Sequence, residues 1–98
     1  MIRIGIICEE TPSGGRYVAR SPGLPDAEMM FRRVRKTMVI DHTAIPEEMP
    51  VEVVDRALVE RAVMDARNES LKIDPVCVLA RSMMARHPMW SDVLKHPI

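Results

Sequence analysis

Between Thr37 and Arg67 the hydrophobic period of the chain changes, and that change limits what it can fold into. Thr37-Met38-Val39-Ile40-Asp41-His42-Thr43-Ala44-Ile45-Pro46 is an apolar run of strand character, and Glu47-Glu48-Met49-Pro50 is a connector. From Val51 the apolar residues Val51, Val54, Leu58, Ala62 and Ala66 recur at three- and four-residue steps. Arg56, Glu60, Arg61, Asp65 and Arg67 fall on the other faces, which is the pattern of an amphipathic helix. Pro50 suits the first helical position, the acidic residues beside it complement the helix dipole, and Asn68-Glu69-Ser70 ends the helix. A strand that turns directly into a helix brings unpaired N–H groups and the positive dipole end together, so such a turn is able to hold a phosphate or a cofactor.

The flanking segments extend the pattern. Ile2, Ile4 and Ile6 alternate with Arg3 and Gly5 as a first strand, closed by the turn signal Thr11-Pro12-Ser13-Gly14-Gly15. Arg16 to Arg20 reads as a short second strand. Ala27 to Val34 and Thr37 to Thr43 read as two longer strands joined near Arg35-Lys36, which completes an antiparallel meander. After the central helix, Leu71 to Val76 is a short strand, Cys77 opens a second helix through Arg86 that stops before Pro88, and Met89 to Lys95 adds a final turn. The expected class is α/β of the α+β kind: a mostly antiparallel sheet in the order β-β-β-β-α-β-α, as one domain over residues 1–98.

Composition narrows the function classes. At 98 residues a single core is expected to stabilise the fold without disulfides. Basic and acidic side chains balance at 14 each, which points neither to disorder nor to a polyanionic partner. Cys8 and Cys77 lack any ligand spacing, so no metal site and no disulfide framework is expected, and a reducing, cytoplasmic compartment is the simpler reading. The opening apolar run is too short for a signal peptide, and none approaches membrane-spanning length. Arg32-Arg33-Val34-Arg35-Lys36 is a basic cluster with Phe31 as its one aromatic neighbour; it reads as a solvated hairpin tip and not as a nucleic-acid surface. Nine methionines against three aromatic residues predict a core filled by flexible side chains, with Trp90 packed against the body.

Ile40-Asp41-His42-Thr43, Ile45-Pro46-Glu47-Glu48, Ala57-Leu58-Val59-Glu60, Ala66-Arg67, Pro75-Val76-Cys77 and Arg86-His87-Pro88 follow one another in order. With Gly15-Arg16-Tyr17 and Ala27-Glu28, this set resembles the small stand-alone members of the GNAT superfamily, the acetyl-CoA-dependent N-acetyltransferases, from roughly Arg16 to Leu94. The resemblance implies a CoA-binding fold in which the strand ending at Thr43 splays from its neighbour and the pyrophosphate sits on the turn into the central helix. It implies acetyl-CoA as cofactor and an amine acceptor, which the sequence leaves unidentified along with the oligomeric state. The cofactor-contacting residues would be Thr43, Met49, Pro50, Val51, Glu52, Val53 and Val54, with Arg81 and Arg86 in reach of a phosphate.

The chain departs from the family at the phosphate loop. Glycine positions fall on Val51 and Val53, the basic position on Pro50, and a small-residue position on Asp55. Cys77 corresponds to a family cysteine near the acyl thioester, and otherwise reads as a small buried hydrophobe. His42 is a candidate general base, and otherwise a packing residue of the strand, while His87 reads as a helix-end residue. Three functions stay open: transfer of an acetyl group to an amine, a non-catalytic binding or assembly module that keeps the fold without normal CoA binding, and thiol redox chemistry at Cys77.

Overall fold

A computed structural model describes residues 2–98. Five strands, β1 (Gly5–Thr11), β2 (Gly14–Arg20), β3 (Ala27–Val34), β4 (Thr37–Ala44) and β5 (Lys72–Pro75), form one sheet in sequence order. The first four pair antiparallel; β5 joins β4 in parallel after the crossover helix α1 (Val51–Glu69), as a parallel pair requires. Helix α2 (Val78–Ala85) and a 3-10 helix (Pro88–Val93) follow. This is the expected minimal GNAT-like α+β arrangement.

One face of the sheet carries the core. Tyr17, Ala19, Ala27, Met29, Phe31, Met38 and Ile40 point toward α1, which returns Val54, Leu58, Ala62 and Ala66, the helical stripe expected from the sequence, with Val59 and Val63 beside it. Met29, Met38, Met49, Met83 and Met84 are all buried, so flexible thioether chains do fill much of the interior. Trp90 is buried at 4% exposure and stacks on His87 with ring centroids 4.4 Å apart. The outer face buries Val18 and Val39 and carries cross-strand ion pairs: Arg16 binds Glu9 and Glu28, and Arg32 binds Asp41.

Several boundaries differ from expectation, two of them with a clear local cause. The first strand begins at Gly5 rather than Ile2 and runs on to Thr11, because the tight turn at Pro12-Ser13 ties Thr11 to Gly14 and sets the register backward from there. The alternation itself holds, with Ile4, Ile6 and Cys8 packing against the core. Pro50 is the extended residue before α1 and not its first helical residue; its carbonyl accepts the Val54 N–H at 3.1 Å. Ser70 closes the helix in the left-handed conformation at φ 56°. Of the basic hairpin cluster, Arg32 reaches Asp41 and Arg33 reaches Glu10 and Glu69, while Arg35 takes φ 56° at the turn.

Candidate functional site

The pairing of β4 with β5 lasts four residues and then stops. Thr37 to Ile40 match Lys72 to Pro75, after which the Ile40 carbonyl accepts both the Val76 and the Cys77 N–H at 3.0 Å and the chain turns into α2. Residues 41–44 therefore pair with β3 on one side and with no strand on the other. Here lies an open cleft of about 750 Å³, walled by Glu28, Thr43, Ala44, Ile45, Val51 of α1 and Leu79 of α2.

A β-bulge re-aims the side chains at this point. Phe31 faces Ile40, but the next pair is Met30 with His42, so Asp41 is an extra residue on β4. Strict alternation would put His42 on the core face; the bulge shifts the phase by one. Thr43 now pairs with fully buried Met29 and turns inward, where its Oγ1 lies 3.2 Å from Cys77 Sγ. His42 pairs with Met30, which is 43% exposed, on the outer face. Thr43 and Cys77 are brought together, while His42 turns to the outer face and still lines the rim of the same cleft. Cys77 itself is half-buried and stands at the N-cap of α2.

The turn into α1 separates the remaining candidates. Met49 and Val54 are core residues, at 3% and 0% exposure, and present no side chain to a ligand. Val51 and Val53 are exposed. No side chain caps the helix, so nothing but Pro50 precedes its first N–H groups. Glu52 does not stand free: its carboxylate accepts Arg86 Nη1 at 2.9 Å, which ties the start of α1 to the end of α2. Arg86 is thus held by a carboxylate, while Arg81 is exposed with no ion-pair partner among the described residues.

Asp55 is the unusual group. Only 2% of the residue is exposed, and its Oδ1 has no hydrogen-bond partner. Burial pushes its carboxyl up to about 6, nearby Glu52 adds to the effect, and Arg86 opposes it. A dianionic pyrophosphate does not fit this turn. Val51 and Val53 place branched side chains where bare backbone would have to approach, and the buried oxygen of Asp55 faces no donor. A like-charge contact with Glu52 would cost about 1 kcal/mol at ~4 Å even in water, and more where water is excluded.

The sequence reading missed several participants. Asp26 and Glu28 reach the cleft from β3 and its approach, each carrying an arginine partner, Arg20 at 3.2 Å and Arg16 at 2.6 Å. Leu79 comes from α2. No local signal marks them, because the cleft exists only where β4 and β5 diverge. Among the described residues no three His, Cys, Asp or Glu side chains converge as a metal site, and no helix is long and apolar enough to cross a membrane.

The family model of the GCN5-related N-acetyl-transferases matches residues 16–93. No curated protein and no solved structure gives a match. A match over that span, with diverging β4 and β5 inside it, identifies the family: this chain belongs to the GCN5-related N-acetyl-transferase family.

Proposed function

We propose that this family member keeps the cleft between β4 and α2 as a binding site but does not hold CoA by its phosphates, and that it works as a non-catalytic binding or assembly module. The observation that carries this reading is Asp55, a carboxyl buried with an unpartnered oxygen in the helix start where the family accommodates phosphate. Val51, Val53 and the Glu52–Arg86 pair support it. What the cleft still offers is the free edge of residues 41–44, the Thr43 hydroxyl and the Cys77 thiol. An extended ligand with amide groups suits such an edge, since unpaired strand N–H and C=O groups are ready to accept a further strand-like partner.

The second reading is acetyl transfer from acetyl-CoA to an unidentified amine, and the close approach of Thr43 and Cys77 at the cleft favours it. Calorimetric titration separates the two. CoA and acetyl-CoA are expected to give no saturable heat with the native chain, whereas the variant carrying Pro50→Arg, Val51→Gly and Val53→Gly gains binding. Saturable heat from the native chain as strong as from the variant overturns the first reading in favour of the second.

A further inference from the structure

We propose that Asp55 is a proton-operated latch: its ionisation draws Arg86 away from Glu52 and changes how α1 and α2 are tied together beside the cleft. Two carboxyl groups and one guanidinium make up the device. Glu52 and Asp55 are three residues apart on α1, so they are neighbours on the helix surface. Glu52 lies outside, its side chain 72% exposed, and holds Arg86 at 2.9 Å; Asp55 lies inside with an oxygen that nothing satisfies. The charged groups acting on Asp55 are Glu52 from its own helix and Arg86 from the end of α2. The strands beneath α1 present apolar side chains, among them Met38 and Ile40.

The arrangement suits a neutral Asp55. A protonated carboxyl tolerates burial beside apolar groups, and Arg86 is left to Glu52. Once the proton leaves, a buried carboxylate without a counter-charge is costly, and Arg86 is the cation at hand. Its backbone N–H is anchored to the Ser82 and Met83 carbonyls at 3.2 Å and its Nε to the Ser82 carbonyl at 3.4 Å, so only the Nη end of the guanidinium exchanges partners while the end of α2 stays in place. The exchange releases Glu52 into the groove of about 290 Å³ between the helices, which Val53, Arg56, Met83 and His87 also line. Burial of Asp55, by pushing its carboxyl up to about 6, puts the exchange close to neutral pH. The latch acts on the α1–α2 tie whatever the cleft binds.

The test is NMR titration of the full chain, following the Asp55 side-chain carboxyl carbon and the Arg86 Nε–Hε signal in the native protein and in two variants. Asp55→Asn keeps the shape and removes the titration; Glu52→Gln changes an exposed residue and leaves folding intact. The Arg86 signal is expected to move with the Asp55 midpoint in the native chain and to lose that transition in Asp55→Asn. Glu52→Gln is expected to lower the Asp55 midpoint, because it removes a like charge and releases Arg86. An Arg86 signal that ignores the Asp55 transition, a transition that persists in Asp55→Asn, or an Asp55 midpoint unmoved by Glu52→Gln overturns the proposal.

Discussion

Replacing Asp55 by Asn reads the cost of the buried carboxyl directly. In the folded chain the carboxyl is held at about 6 against an ordinary 3.8, so the native state binds this proton more tightly than the unfolded chain does. Stability from this group is therefore fully present below about pH 4 and is lost as pH rises through about 6. A gap of roughly two pKa units at about 1.4 kcal/mol each amounts to about 3 kcal/mol lost across that window. Asn does not titrate, but its buried amide lacks a partner and costs about 1–2 kcal/mol of its own. Above pH 7 the variant is thus expected to be more stable than the native chain by roughly 1–2 kcal/mol, and near pH 4 less stable. Urea unfolding at a series of pH values from acid to neutral measures both curves, and their difference isolates Asp55 because every other titrating group is common to the two. A difference that stays constant between about pH 4 and 7 would refute the reasoning.

Tyr17→Phe removes the hydroxyl that donates to Asp65 Oδ2 at 2.8 Å while Arg61 continues to satisfy that carboxylate; the loss is expected to be about 1 kcal/mol and to appear as a melting temperature lower by roughly 4–8 °C. Burial, and then the hydrogen bond to Asp65, push the Tyr17 hydroxyl above its ordinary 10.0, so ultraviolet titration of this single tyrosine should give no tyrosinate signal at pH 10 in the folded chain. Gly15→Ala would set a Cβ 2.7 Å from Glu10 Cα and against the Glu9 carbonyl, both backbone of β1; a destabilisation of about 1–3 kcal/mol and faster amide exchange along β1 are expected.

How much of this was legible in the sequence depends on how local the cause is. The α1 stripe of Val54, Leu58, Ala62 and Ala66 is set by period alone and stands as read. The two hairpins follow from Pro12-Ser13 and Arg35-Lys36. The extent of β1 was harder, because its pairing is counted back from the turn and not from the alternation of isoleucines. Around the site the failures are non-local. Asp41 carries no mark of a bulge, yet that one extra residue decides that Thr43 and not His42 faces Cys77. Glu52 and Arg86 are 34 positions apart, so their pairing, and with it the isolation of Asp55, emerges only when α2 packs beside α1. The replaced glycine positions at Val51 and Val53 were readable; the burial beside them was not.

The central claim is that the cleft survives while the phosphate cradle does not, and thermal unfolding with and without CoA tests it most directly. A ligand that binds only the native state at about a thousandfold its dissociation constant adds about 4 kcal/mol, which in a chain of this size raises the melting temperature by roughly 15–30 °C. The account predicts no rise for the native chain at CoA concentrations about a thousandfold above a micromolar dissociation constant, and a rise for the Pro50→Arg, Val51→Gly, Val53→Gly variant. A rise of that size in the native chain would contradict it.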